Sequence, residues 1–215
     1  EDILRSKPEG LVLVKIDPKT GLRAKASDPQ GIFEIFREEY SLGERILKSI
    51  NVTRETVRTN TNLGIILLCA PIVQACTNFN NLGLKEGLKK VLKNTSIQDT
   101  QDLCMAIKIS SPGGLGRSNI YDINSKPITT IEEIMGYSAN YDRISYQYAH
   151  NYGDIFDFII PRLVFLNEKH NSLDVSLSLM FIEILAKIPD SHISRKFGDK
   201  IAKKTSNNAS DLLKI

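Results

Sequence analysis

NTNLGIILLCAPIVQAC, residues 60–76, is the stretch on which the fold turns. From Leu63 to Cys76 it is the longest apolar stretch in the chain, interrupted by Pro71 and Gln74. A membrane-crossing helix needs ~20 such residues, so this one is too short and too broken. It reads as a helix buried in a protein core, and no membrane partner is expected. Asn60, Thr61 and Asn62 stand ahead of it. Their side-chain oxygens suit the unpaired amides of a helix start.

Working upstream, Leu42, Ile46, Ile50 and Val57 recur near helical spacing, with Glu44, Arg45, Lys48 and Arg54 on other faces. Downstream, Leu84 to Leu92 reads as a basic amphipathic helix. Ser96 with Asp99 forms a capping-box-like start for a helix running to about Ile109. A loop rich in Gly, Ser and Asn covers Ser111 to Lys126. Thr130 with Glu133 is expected to cap a helix whose apolar positions include Ile131, Ile134, Met135 and Ile144. Ser172 to Ile188 is strongly apolar and stops at Pro189. A last helix is expected over Ser194 to Lys204, with a polar, frayed tail from Thr205 to Ile215.

Six or seven helices and almost no strand pattern after residue 40 predict an all-α multi-helix bundle. Residues 1–40 read differently, as a short irregular, β-like segment. Leu11 to Ile16 looks like a strand, Asp17 to Gly21 like a tight turn and Asp28 to Gly31 like a loop. Ile32 to Glu39 fits a short helix or an extended arm. The expected division is an appendage over 1–40 and a helical domain over 41–215.

The 215 residues are 41% hydrophobic and 25% charged, ordinary for a globular protein able to bury a core without disulfides. A formal net charge of +3 tolerates anionic ligands without arguing for nucleic acid, and none is expected as a partner. Cys69, Cys76 and Cys104 are an odd set without paired CxxC spacing. They read as small buried hydrophobes in a reducing compartment, so a cytoplasmic location is expected. The chain begins with Glu1 rather than Met, and an upstream part is expected. Composition leaves the oligomeric state open.

Several constellations carry polar chemistry. Asn60, Thr61, Asn62 and Gly64 stand at a helix N-terminus, where free amides and the positive dipole end suit phosphate; an ordinary cap is the alternative. Gly113, Gly114 and Gly116 permit positive φ and close backbone approach to a ligand, with Arg117 and Asp122 nearby. No strand precedes this loop and it lacks the P-loop lysine. Asp142 and Tyr146 share a face if their helix is continuous, and with Arg143 and Asp154 they could hold Mg²⁺ or form a solvated ion pair. Asp190, His192, Arg195 and Lys196 gather an acid, an imidazole and two cations at a helix start. They suit a triphosphate clamp or a simple cap. His150 and His170 show no metal spacing and read as surface or cap residues.

Asn60–Ile72 (NTNLGIILLCAPI), Ser111–Gly116 (SPGGLG), Tyr141–Ala149 (YDRISYQYA) and Pro189–Gly198 (PDSHISRKFG), with SLGERIL (Ser41–Leu47) upstream, together resemble the triphosphoribosyl-dephospho-CoA synthase family over residues 41–204. The resemblance implies an all-α transferase that joins ATP to 3′-dephospho-CoA. Adenine is displaced from C1′ of ATP, giving 2′-(5″-triphosphoribosyl)-3′-dephospho-CoA. It implies ATP and dephospho-CoA as small-molecule partners and Mg²⁺ accompanying ATP. Positive charge developing at C1′ calls for a carboxylate nearby and a base for the attacking hydroxyl. On this reading Asp142, Asp122 and Asp190 are the catalytic candidates. Asn60, Asn62, Gly64, Gly113, Gly114, Gly116, Arg143, His192, Arg195 and Lys196 bind substrate, and Asp142 with Asp154 holds the metal.

Lys7-Pro8-Glu9-Gly10 only echoes the family's N-terminal Lys-Pro-Gly-Asn-type motif. Pro8–Glu39 instead resembles the C-terminal edge of the transpeptidase region of class A penicillin-binding proteins. Acyl-serine chemistry is excluded, because no Ser-x-x-Lys tetrapeptide occurs and Lys19-Thr20-Gly21 reads as a turn. The departure leaves two alternatives. One is a catalytically impaired nucleotide-binding or interaction module of the same fold. The other is a related enzyme on a different nucleotide acceptor, such as one serving pterin cofactor synthesis in methylotrophs.

Overall fold

The computed structural model describes residues 13–16, 23–26, 40–57, 62–113 and 120–214. The first two segments are strands β1 (Leu13–Ile16) and β2 (Arg23–Ala26), paired antiparallel with Leu13 opposite Ala26 and Ile16 opposite Arg23. β1 falls within the expected strand. The expected turn at 17–21, the loop at 28–31 and the arm at 32–39 lie outside the described residues.

Among the described residues, everything else with regular structure is helical. The helices are α1 (Leu42–Val57), α2 (Leu63–Asn78), α3 (Leu84–Lys93), α4 (Ile97–Ser110), α5 (Ile131–Ser138) and α6 (Arg143–Ala149), then a π segment (Asp154–Ile159). After it come α7 (Ile160–His170), α8 (Leu173–Lys187), α9 (Ser191–Phe197) and α10 (Asp199–Leu212). The architecture is the expected all-α bundle, more finely divided than its hydrophobic pattern.

The core lies among the first six helices. Leu42, Ile46 and Ile50 bury one stripe of α1 as their spacing predicts. Each such side chain contributes about 1.5–3 kcal/mol. α1 packs on α4 so closely that Gly43 is obligatory: a Cβ there would lie 2.3 Å from the Cα and carbonyl oxygen of Asp99. The same crossing is tied by polar bonds. Gly43 N donates to Asp99 Oδ1 at 2.8 Å, and Ser96 N donates to Asp99 Oδ2 at 2.7 Å in the expected capping box. Burial alone would push the Asp99 carboxyl upward. Hydrogen bonds from Ser41, Ser96 and Gly43 outweigh it and hold the group below the usual carboxylate range.

Pro71 inside α2 shapes the opposite wall. Proline brings no amide to the carbonyl four residues back, that of Leu67. Tyr148 Oη–H donates to Leu67 O at 2.6 Å, and Tyr152 Oη–H donates to Leu68 O at 2.9 Å. Both phenols are pushed far upward by burial and remain protonated donors. Tyr152 reaches its place through a left-handed pair, Asn151 (φ 49°) and Tyr152 (φ 59°). The Tyr152 N to Gln147 O bond of 2.8 Å spans five residues and leads into the π segment.

The structure corrects several expectations. Thr130 occupies an N-cap position without a side-chain cap bond, and the Glu133 carboxylate that would complete a capping box is held instead by Thr129 and by Tyr121 at 3.0 Å. Asn62 likewise makes no cap bond; its amide turns to Thr53. The helix expected through Ile144 is two helices, because Asp142 caps a new start at α6. The last expected helix is also two, divided at Gly198 (φ 89°). The tail expected to fray is helical to Leu212. Ala202, Ser206 and Ala209 are buried, and Ser206 Oγ donates to Ala186 O at 2.8 Å. The cysteines are free as expected, but Cys76 is exposed rather than buried. Burial pushes the thiols of Cys69 and Cys104 upward. Among the described residues, no helix is long and apolar enough to cross a membrane.

Candidate active site

A cavity of about 1040 Å³ opens between α1, α2, α4, α5, α6 and α9. Its apolar wall includes Leu63, Leu67, Leu103, Ile107, Met135 and Ile144. Its polar wall comes from segments far apart in sequence: Asn62 and Gly64, Ser111 to Gly113, Asp122, Asp142, and His192, Arg195 and Lys196.

The cationic part is built by short-range bonds. Asp190 caps α9, its Oδ1 accepting from His192 N at 2.7 Å and Ile193 N at 3.0 Å. That start sets the direction in which His192, Arg195 and Lys196 leave the helix. Arg195 Nη2 lies 3.0 Å from His192 Nδ1, and Nη1 donates to Asp142 Oδ1 at 3.4 Å. Arginine has only donors, so His192 Nδ1 accepts and the ring proton sits on Nε2. Lys196 lays its stem over the loop after α4: a Cβ on Gly113 would lie 3.2 Å from Lys196 Cε. Glycine at 113 therefore serves close approach. Among the described residues of this loop, positive φ falls at Ser111 (φ 43°) and Tyr121 (φ 56°).

Asp142 is the junction. Its Oδ2 accepts from Ser145 N at 2.8 Å and Ser145 Oγ at 2.9 Å, while Oδ1 carries the long contact with Arg195. Asp122 Oδ1 accepts from Asn124 N at 2.8 Å.

Other predicted residues stand apart from the cavity. Asp190 is absent from its wall and engaged as a cap. Arg143 and Asp154 are also absent from the wall and form a bidentate pair, Nε to Oδ2 at 2.7 Å and Nη2 to Oδ1 at 2.6 Å. Gln147 Nε2 donates to Asp154 Oδ2 at 2.5 Å, and the Arg143 guanidinium lies 3.7 Å above the Tyr146 ring. The structure thus does not bring Asp154 together with Asp142 as a metal pair. His150 is an exposed C-cap residue stacked on Tyr146 at 3.9 Å. Asn60, Gly114 and Gly116 lie outside the described residues.

Sequence reasoning missed Ser110, Tyr137, Tyr141, Ser138 and Asp199, all in the cavity wall. Tyr137 meets Tyr121 edge-on at 5.6 Å. Tyr137 follows Ile134 and Met135 at a spacing that continues the cavity face of α5. That periodicity is the one signal that could have found it.

Mg²⁺ can be tested against this donor set. Among the described residues, no group of three or more His, Cys, Asp or Glu side chains is arranged to hold a metal. Mg²⁺ bound with a nucleotide needs only one or two carboxylates, since phosphates and water complete its shell. Asp142 and Asp122, both in the wall, fit that requirement.

An all-α fold with a deep cavity, apolar on one wall and cationic where α9 meets the loop after α4, defines a helical protein suited to an anionic ligand with an apolar part. The chain belongs to the ATP:dephospho-CoA triphosphoribosyl transferase family (CitG), whose model matches residues 19–215. No curated protein matches it. In fold it is similar to a solved structure from Archaeoglobus fulgidus assigned as a triphosphoribosyl-dephospho-CoA synthase. The two share 22% identity and a TM-score of 0.64, over 85% of this chain and 78% of that one.

Proposed function

We propose that this protein transfers the triphosphoribosyl part of ATP to the ribose 2′-hydroxyl of 3′-dephospho-CoA, releasing adenine. The observation that carries the reading is convergence: Asn62 and Gly64, Gly113, Asp142, Arg195 and Lys196 line one cavity between helices. In this reading Arg195, Lys196 and the His192 Nε2–H hold phosphate oxygens by charge-assisted bonds. Asp142 stands by C1′, where its negative charge opposes the positive charge that develops as adenine leaves. Asp122 is the second carboxylate of the wall and takes the proton of the attacking hydroxyl. Mg²⁺, held by Asp142 or Asp122, neutralises triphosphate charge when bound. Asp190 acts at one remove, by capping the helix that presents the cations. The division near residue 40 belongs to the same proposal: β1 and β2 precede it and every helix of the cavity follows it.

The test is release of free adenine from ATP in the presence of dephospho-CoA. Appearance of adenine with a matching triphosphoribosyl product supports the transferase. Folded protein that binds ATP tightly and releases none is the impaired module. Turnover only with another acceptor is the related enzyme.

A further inference from the structure

Two arginine pairs in this chain are built alike. Arg143 Nε and Nη2 meet the Asp154 carboxylate at 2.7 and 2.6 Å, and Arg162 Nε and Nη2 meet that of Glu183 at 2.7 Å each. Their side chains are similarly exposed, 35% and 15% in the first pair and 38% and 17% in the second. Each guanidinium also lies over an aromatic ring, Tyr146 at 3.7 Å and Phe165 at 4.8 Å. Neither pair lines the cavity.

What separates them is what each pair holds. Arg162 and Glu183 tie α7 to α8, away from the cavity. Arg143 is the first residue of α6 and follows Asp142, the cap on which the cavity's bonds meet. Asp154 opens the π segment and is turned back toward α6 by the left-handed pair Asn151 and Tyr152. It accepts from Arg143 and, at 2.5 Å, from Gln147 Nε2. These two donors are four residues apart and share one face of the helix. The Arg143 backbone is held from the other side as well: its N–H donates to Ser191 Oγ at 3.1 Å. Ser191 is the first residue of α9, a seven-residue helix without a fully buried side chain. Two hydrogen bonds tie α9 to the start of α6, this one and that from Arg195 to Asp142.

We propose that Asp154 is a positioning residue. Acting through Arg143, it fixes the first turn of α6, and with Ser191 on the other side it keeps the Asp142 carboxylate in register with the cations of α9. The proposal rests on the transferase reading above. A displacement of about 1 Å in a reacting group can cost up to about 100-fold in rate, so a pair outside the cavity can govern chemistry within it.

The experiment compares Asp154→Asn with Glu183→Gln, a control that removes the same charge from the matched pair. Asp154→Asn is expected to fold, because Gln147 Oε1 is buried without a partner and can accept from the new amide once the Gln147 amide turns over. Adenine release and thermal melts are measured for both. Asp154→Asn should lower kcat about tenfold with a KM for ATP within about twofold of wild type. Glu183→Gln should leave both unchanged, whatever it does to the melt. In an Asp142→Asn background, Asp154→Asn should cost less than about twofold further, because the group it positions is already gone. An unchanged kcat in Asp154→Asn, an equal loss in Glu183→Gln or an undiminished loss in the Asp142→Asn background overturns the proposal and leaves the transferase reading standing. Wild type that releases no adenine overturns that reading instead. The register of α6 and α9 is then read by calorimetric titration with inorganic tripolyphosphate, which Ser191→Ala should weaken several-fold and Ser191→Thr should restore. Unchanged binding by Ser191→Ala, or no binding by wild type, then overturns the positioning role too.

Discussion

The helices before the π segment and those after it are built differently. In α1 to α6 the core is apolar and pinned by polar bonds between neighbours: Asp99 to Gly43, Tyr148 to Leu67 and Tyr152 to Leu68. In α7 to α10 few side chains are fully buried, among them Leu166, Met180, Ala202 and Ala209, while Phe165, Leu177 and Phe181 are exposed. Yet the second region supplies His192, Arg195 and Lys196 to the cavity through α9, while the first supplies the apolar wall and Arg54. Stability and ligand charge are therefore separable. Substitutions in the first region should act on folding, and those on α9 should act on binding with little effect on folding.

The comparison can be broken most decisively at Asp142, which touches both regions. Asp142→Asn keeps an acceptor for Ser145 N but removes the charge. It should lower the rate of adenine release by about 100-fold or more with a small change in melting temperature. A protein that keeps its rate would remove Asp142 from the chemistry. Gly43→Ala should be the most damaging change for folding, since its methyl overlaps the Asp99 backbone; a loss of about 3 kcal/mol or more in urea unfolding is expected. Tyr148→Phe leaves the Leu67 carbonyl without its donor and should cost about 1–3 kcal/mol by the same measurement. A Tyr148→Phe protein of unchanged stability would mean that Pro71 is tolerated without help.

Arg195→Ala sharpens the contrast from the other side. ATP affinity measured by calorimetry should fall about tenfold or more, with a thermal melt close to wild type. The smallest effect is a pH dependence. The Asp99 carboxyl is lowered in the folded state, so its stabilisation is fully present above the unfolded value of about 3.9 and is lost as pH falls through the lower folded value. Unfolding followed from pH 5 downward should show Asp99→Asn with a shallower acid slope than wild type.

Elements with strong local chemistry could be read directly from the chain. The apolar run of α2 and the Ser96–Asp99 box of α4 need no tertiary information. What could not be read depends on partners distant in sequence. Nothing local says that Gly43 meets Asp99 or that Tyr148 serves a carbonyl freed by Pro71. The polar face of α10 looks like a frayed tail until α8 is laid against Ser206. In the site, Asn62, Gly113, Arg195 and Lys196 are visible because polar and glycine residues cluster there beside the apolar helical stretches. Ser110 was not, because a serine ending a helix looks the same whether or not it faces a cavity. Asp190 and Asp154 were misplaced for a related reason: an acid at a helix start or near an arginine has local work to do, as cap or ion pair.

A crystal structure of the protein with ATP tests the central claim most directly. The triphosphate is predicted against Arg195, Lys196 and the backbone at Gly113, with C1′ beside Asp142. A nucleotide bound elsewhere, with that cavity holding only solvent, would contradict the account.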